Sequence, residues 1–409
     1  MPYLDIMEEC AMKQENLYSI KTECCGCEAC VNICPKHIIS MARDDEGFYY
    51  PRIENNDSCI NCGACSKVCP FKHSREIESS FVEAYAGHAI NRDININSAS
   101  GGFATVLASE FLQKTHGIVY GVSYGSDFMS VGYQGVNTVE GLHRFQTSKY
   151  SQARKHDVYV RIKKDLKEKK VLFVGTPCDA YALMRFVGEQ DNLYIATLIC
   201  HGPTSEKVHQ MFFHDLEKQY DSNITELSLR YKKEGNWKPY YIRTMFSNGK
   251  EYLHRFDETL YNTAFLYFKR PSCAQCPFKK NHFPGDILIG DYHSANPGTK
   301  AYYVHGVSSM LPLTEKGQLM LSSVSENFQL MKVSVESSIG QQAVHSPVIK
   351  KTNRVEFTQK MNSAGLSESC RISSIKWDQI KTKVKRTIRS FLGKQKRMII
   401  RFVKATKQE

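Results

Sequence analysis

Eight cysteines in two short runs constrain this chain more than any other feature. Cys24, Cys27, Cys30 and Cys34 are followed by Pro35, and Cys59, Cys62, Cys65 and Cys69 by Pro70. Each run is spaced C-x2-C-x2-C-x3-C-P. Three thiolates of such a run wrap one face of a [4Fe–4S] cubane, and the fourth crosses to the other cluster. The expected ligand sets are Cys24, Cys27 and Cys30 with Cys69, and Cys59, Cys62 and Cys65 with Cys34. Gly26, Ala29, Gly63 and Ala64 leave room for backbone amides near the sulfurs. Structural zinc sites separate their cysteine pairs by longer spacers, and disulfide frameworks belong to oxidising compartments. Neither matches two identical runs closed by proline.

A chain of 409 residues has room for two or three domains and a sizeable core. Residues 1–21 carry acidic side chains and no apolar run, unlike a secretory leader. No apolar stretch approaches the roughly 20 residues a membrane-spanning helix needs. Fifteen cysteines in such a chain argue for metal ligation in a reducing compartment, so the cytoplasm is the expected location. The net charge of +12 is unevenly spread, because twelve Lys and Arg between Lys376 and Glu409 face only Asp378 and Glu409. The body is therefore nearly neutral, and nucleic acid is not an expected partner.

The expected fold is a small two-cluster domain followed by an α/β core, an α+β assembly overall. Residues 1–20 read as a lead-in and 21–75 as the cluster domain, with a short hairpin turning at Asp44-Asp45-Glu46-Gly47. A domain this small depends on its clusters for stability. From residue 81 to about 345, strands and helices alternate. Helices are expected over 103–113, 157–169 and 204–219, and strands over 117–123, 171–174, 193–199 and 286–290. That rhythm predicts a largely parallel sheet with its site in the loops at the strands' C-terminal ends. Asn248-Gly249 predicts an inserted β-hairpin. Residues 346–374 read as a helical extension and 375–409 as a basic tail.

Four further cysteines fall in this core. Cys178 and Cys200 follow predicted parallel strands, and Cys273 and Cys276 share one loop. Spacing alone leaves open a third cluster, a zinc site or buried free thiols. Ser98, Ser100, Gly101 and Gly102 precede a helix, as a phosphate-binding turn or an ordinary N-cap would. No G-x-G-x-x-G run supports a Rossmann site. Gly121-x-Ser123-x-Gly125 matches a hydrolase pattern too short to carry weight. His201 is a candidate donor to a cluster sulfur, and His293 follows the predicted 286–290 strand, where a site at the strand ends would lie. Both equally suit ordinary polar positions.

Several segments occur together in a fixed order: Ser-Ala-Ser-Gly-Gly-Phe-Ala-Thr (98–105), Val-Gly-Thr-Pro-Cys (174–178), Ile-Cys-His-Gly (199–202), Arg-Pro-Ser-Cys-Ala-Gln-Cys (270–276) and Asp-Ile-Leu-Ile-Gly-Asp (286–291). With the ferredoxin-type module in front, the chain resembles the coenzyme F420 hydrogenase/dehydrogenase beta-subunit family over about residues 20–345. The resemblance implies an α/β core holding FAD and a [4Fe–4S] cluster, with Cys178, Cys200, Cys273 and Cys276 as its ligands. It also implies that Ser98, Ser100, Gly101, Gly102 and Thr105 lie near the FAD phosphates, and that Thr147, Ser148 and Lys149 contact the flavin. Two departures stand out, Pro277-Phe278-Lys279-Lys280 where an acidic residue is expected and Tyr292-His293 after Gly290-Asp291. They put the substrate in doubt more than the cofactors.

The implied activity is that of an iron–sulfur flavoprotein oxidoreductase. It would exchange a hydride with a soluble donor such as coenzyme F420 and pass electrons to a ferredoxin or a partner redox subunit. The alternatives are a ferredoxin-linked bacterial reductase of another substrate, one setting being polysaccharide biosynthesis, and a non-catalytic electron-transfer protein. In the tail, Ile380, Val384, Ile388, Phe391 and Leu392 fall at helical spacing, and Met398, Ile399, Phe402 and Val403 continue the stripe. This pattern fits attachment to an anionic membrane surface or docking on a partner, and the two readings stand level.

Overall fold

The computed structural model describes residues 17–340, 342–382 and 384. Residues 1–16 of the lead-in and the apolar stripe from Ile388 to Val403 lie outside the described residues. The chain forms two compact units, one ending at Ile349 and the other beginning at Lys350.

The first unit opens with the cysteine module. Its strands β1 (Ile39–Arg43) and β2 (Tyr49–Ile53) pair antiparallel across the Asp44–Gly47 turn, where Asp44 Oδ1 accepts from the amides of Glu46 and Phe48. The following strands are β3 (Ala84–Ala89), β4 (Ile118–Tyr124), β5 (Val131–Val136), β6 (Val171–Gly175) and β7 (Leu193–Leu198). After them come β8 (Ile224–Tyr231), β9 (Tyr241–Phe246), β10 (Glu251–Arg255), β11 (Ile287–Asp291), β12 (Ser308–Pro312) and β13 (Phe328–Val333). The helices of eight or more residues in this unit are α1 (Phe103–Thr115), α2 (Val158–Asp165), α3 (Pro177–Val187), α4 (Glu206–Tyr220), α5 (Leu260–Tyr267) and α6 (Glu315–Ser323).

Among the described residues, eight strands form one sheet in the order β13-β3-β12-β11-β7-β6-β4-β5. Parallel pairing is confined to the central β11-β7-β6-β4 block, and both flanks run antiparallel. The sheet is thus mixed, more so than the strand–helix rhythm predicts. The β4–β5 link has only six residues, Gly125 to Ser130, too short for the crossover that a parallel neighbour requires. β8, β9 and β10 form a separate antiparallel sheet, and β9 and β10 join at Asn248-Gly249.

Alternation along the strands sends side chains to both faces. Val171 and Phe173 of β6 pack with α2 and α3, while Leu172 packs with α1 and α6. The cysteine module belongs to the first of these cores. Cys27, Ala29 and Val68 are buried among Tyr133, Tyr159, Phe173 and Leu183. Glu28 fastens the join. It sits at the start of a one-turn helix with φ 64°, and its buried carboxylate accepts from Arg154 Nε (2.8 Å), Lys155 N (3.0 Å) and His156 N (3.1 Å).

The second unit contains α7 (Arg354–Ser369), broken at Gly365, and a helix over 373–382. Asn353 caps α7 through its side chain, and Ser374 Oγ accepts from the Asn353 amide. Ile380 and Val384 are exposed.

Removing one partner of a buried ion pair typically costs about 3–5 kcal/mol, because the other charge stays buried alone. Glu28→Ala should therefore lower the denaturation midpoint strongly and open the module junction to protease between residues 74 and 80. Unfolding curves and a proteolysis time course check both effects.

Candidate redox site

The four parallel strands deliver their C-terminal ends to one edge of the sheet, and a cavity of about 840 Å3 lies there. Its walls include Gly121 and Val122 of β4, Val174 and Gly175 of β6, Leu198 of β7 and Asp291 of β11. Open α/β sheets place their ligands outside such strand ends, and the volume suits a cofactor.

At one end of the cavity the turn 98–102 leads into α1. Gly102 is the N-cap residue in a left-handed conformation, and no side chain caps the first amides of the helix. The turn's carbonyls are tied back instead. Arg230 of β8 donates to Ala99 O (2.9 Å), and Lys232 donates to Asn95 O (2.6 Å), Ser100 O (2.7 Å) and His305 O. The Ala89 amide and Asn95 Nδ2 both reach Gly101 O. With its acceptors occupied, the turn leaves uncapped N–H groups and a positive helix end for an anion.

Ser98, Ser100, Gly102 and Thr105 line this end. Ser98 Oγ is committed to Ile94 O (2.7 Å), and Ser100 Oγ lies 3.0 Å from Ser308 Oγ. Gly101 is not a lining residue. A Cβ there would fall 2.3 Å from Gly87 O and 2.5 Å from Ser308 N, so this glycine serves close packing of the turn on β3 and β12.

Thr147, Ser148 and Lys149 line the same cavity. Thr147 has φ 62°, a costly position for a β-branched residue and one that concentrates at ligand sites. Lys149 donates to Arg144 O (2.9 Å) and Gln146 O (2.6 Å), and burial pulls its pKa down to about 7. A lysine and uncapped helix amides in one cavity fit a phosphate-bearing cofactor such as FAD.

The other end holds the core cysteines. Cys178 opens α3 after β6, Cys200 follows β7, and Cys273 and Cys276 come from the loop after α5. All four line the cavity. Burial pushes the thiols of Cys200 and Cys273 up, and that of Cys276 to about 12. Buried cations stand around them. Lys279 Nζ donates to Cys200 O (2.9 Å), Lys269 Nζ to His201 O (2.9 Å), and Lys155 pairs with Asp179 (3.0 Å) beside Cys178. Arg270, three residues before Cys273, is 1% exposed. Buried positive charge of this density calls for an anionic occupant. The four cysteines would supply one if they ligated an iron–sulfur cluster, since metal ligation deprotonates thiols outright. Among the described residues, no three His, Cys, Asp or Glu side chains are gathered for a single ion.

Gly202 N donates to Cys200 Sγ at 3.3 Å, a backbone contact of the kind considered for His201. Burial, then Lys269 and Lys279, lower the His201 pKa to about 4 and keep the ring neutral. Of the residues that depart from the family pattern, Lys279 stands beside Cys200 and His293 faces the cavity. Tyr292 turns away to Ser337 Oγ (2.9 Å), and Lys280 is exposed.

Both cluster runs gather in the N-terminal module. Cys24, Cys27, Cys30, Cys65 and Cys69 line a small second cavity, while Cys62 is exposed at the surface. Burial raises the thiols of Cys24 and Cys30, and that of Cys69 to about 11.

Comparison with known proteins meets this geometry at two places. Residues 168–338 match the profile described as the C terminus of the coenzyme F420 hydrogenase/dehydrogenase beta subunit, and residues 23–73 match a 4Fe-4S dicluster domain. Over these two stretches the chain is similar to a two-cluster ferredoxin and to the coenzyme F420 hydrogenase/dehydrogenase beta-subunit family. Within the dicluster domain it is 34% identical over 50 residues to an uncharacterised ferredoxin of Methanocaldococcus jannaschii, covering 12% of this chain and 62% of that protein. It is 29% identical over 59 residues to the VorC subunit of ketoisovalerate oxidoreductase of Methanothermobacter marburgensis, covering 14% and 73%. A chain of the F420-reducing [NiFe] hydrogenase complex from Methanosarcina barkeri aligns with a TM-score of 0.45 and 14% identity, over 71% of this chain and 91% of that one.

Sequence reasoning had passed over Arg230, Lys232, Lys155 and Asp179. Only Asp179, next to Cys178, carried a local signal. The others are lone basic residues brought in from distant elements.

The packing of the turn is open to direct test. Gly101→Ala forces a methyl against two backbone groups, an overpacking that should cost roughly 1–3 kcal/mol, read as a lower denaturation midpoint.

Proposed function

We propose that this protein is an iron–sulfur flavoprotein oxidoreductase in which one cavity couples hydride exchange to single-electron transfer. The observation that carries the reading is the shared cavity, lined by the uncapped turn before α1, by Lys149 and by four cysteines. FAD, when bound, converts between a two-electron hydride donor and one-electron carriers, and three [4Fe–4S] clusters relay the single electrons.

The chain's own residues have distinct tasks in this scheme. The α1 amides and Lys149 hold the negative charge of the dinucleotide. Lys232 and Arg230 keep the turn's carbonyls away from it. Cys178, Cys200, Cys273 and Cys276 ligate the core cluster, while Lys155, Lys269 and Lys279 offset its charge. Asp291 and His293 line the wall near Tyr240 and Lys238, where a soluble hydride donor of the coenzyme F420 type is placed to enter. Arg230 holds Asp291 at 2.8 Å, and the pair keeps that carboxylate ionised. Electrons leave through the module toward Cys62, the exposed cysteine among the described residues, where a ferredoxin or partner redox subunit docks.

Protein purified without oxygen should carry about twelve iron and twelve sulfide per chain for three cubanes. Cys276→Ser should lose one cluster's worth and keep the module's eight. A wild-type value near eight removes the core cluster from the reading. Bound flavin, released by acid and identified as FAD, separates an oxidoreductase from a simple electron carrier. A screen of reduced donors against the flavin absorbance then identifies the substrate.

Flavin affinity should also depend on pH. Lys149 is charged below about 7 in the free protein, and an anionic ligand raises its pKa on binding. The gain is fully present below about 7 and is lost as pH rises through the higher pKa of the complex. FAD titrations should therefore show weaker binding from neutral pH upward, and Lys149→Met should flatten that dependence.

A further inference from the structure

We propose that Arg270 is the junction through which the dicluster module and the core exchange electrons, and that it sets the potential of the Cys24 cluster relative to the core cluster. The inference rests on the three-cluster reading above and adds how two of those clusters are connected.

The backbone of Arg270 belongs to the core. Its amide donates to Pro203 O (3.1 Å), and its carbonyl accepts from the Cys273 amide (3.0 Å). Its side chain belongs to the module. Nε donates to Cys24 O (2.8 Å), Nη2 donates to Tyr49 O (3.0 Å) and lies 3.7 Å from Cys24 Sγ, and the guanidinium stacks over the Tyr50 ring at 4.3 Å. Nη1 donates to Gln152 Oε1 (2.7 Å), and Gln152 Nε2 in turn donates to Cys25 O (3.3 Å) and Gly26 O (3.2 Å). A fully buried cation therefore bridges a cysteine assigned to one cluster and the loop carrying two cysteines of another.

The module's main chain is shaped to admit it. Gly26 has φ 67°, and a Cβ there would fall 2.3 Å from Gln152 Nε2 and 2.8 Å from Arg270 Nη1. Cys25, between Cys24 and Gly26, lines both cavities, so this short segment is the wall that separates the two cluster sites.

The chemistry is a one-electron exchange, in which one cluster loses the electron the other gains. Arginine keeps its proton throughout, so no proton accompanies the electron here. A hydrogen-bonded cation at a cluster sulfur favours the more negative, reduced form and raises that cluster's potential. Arg270 makes this contact with Cys24. Its charge also reaches Cys273, without direct contact, so the net bias of the shared electron is toward the module.

The test is an EPR-monitored redox titration of the full-length, cluster-loaded protein. In Arg270→Gln, one module cluster should shift to a more negative midpoint, changing electron sharing with the core cluster at least tenfold, about 59 mV for a one-electron couple. The Cys59/Cys62/Cys65/Cys34 cluster should keep its midpoint, and Arg270→Lys should fall between wild type and Arg270→Gln. A twelve-iron Arg270→Gln protein with three unchanged midpoints overturns the proposal and leaves the three-cluster reading standing. A wild-type protein with only eight iron overturns both. Should Arg270→Gln fail to fold, Gln152→Leu loosens the guanidinium without removing it. A smaller shift of the same sign supports the proposal, and no shift overturns it.

Discussion

Charge burial governs this structure. Four core cysteines line the large cavity and several module cysteines the small one, and thiolates in such places need positive charge close by. Lys155, Lys269, Arg270 and Lys279 supply it from three separate stretches of chain. Lys269 is held by His201 O and Val348 O, Lys279 by Cys200 O and Ala343 O, and Lys155 by Gly26 O and Ala153 O. Each ammonium is therefore fixed by backbone carbonyls, in most cases from loops that carry or adjoin cysteines. The cation network and the loop conformations determine one another.

The same logic explains the other end of the cavity. Arg230 and Lys232 project from β8 and the residue just beyond it, in a sheet that, among the described residues, shares no pairing with the main one. That small sheet interrupts the strand–helix rhythm as an insertion would. Its contribution is nevertheless specific, because its two basic side chains hold the carbonyls of the turn before α1.

Much of the architecture was legible in the sequence. The core strands β4, β6, β7 and β11 lie within two residues of where hydrophobic periodicity and turn residues place them, because those signals are local. β5 was not legible. Its sequence, Val131-Gly-Tyr-Gln-Gly-Val136, has two glycines and too few β-branched residues, and it is a strand because β4 offers an edge. β13 is half exposed and has the same dependence on β3. In the site, the cysteines and the small-residue turn announced themselves by spacing. Glu28, Lys155, Lys232 and Arg270 did not, since a lone charged residue reads as surface until the fold shows what it is buried against. Arg270 begins the 270–276 segment and still gave no hint that its side chain leaves the core.

The shared core of module and α/β domain bears on how such a protein is built. Cys27 and Ala29 are packed under Tyr159 and Leu183, residues that leave the ribosome more than a hundred positions later. During synthesis the module therefore exists for a time without its covering surface, with its cysteines open to iron delivery. Once α2 and α3 have closed over it, several of those sulfurs are walled in. Cluster insertion and domain closure are in this way steps of one maturation sequence, and a chain that closes early would trap an empty module inside a finished fold.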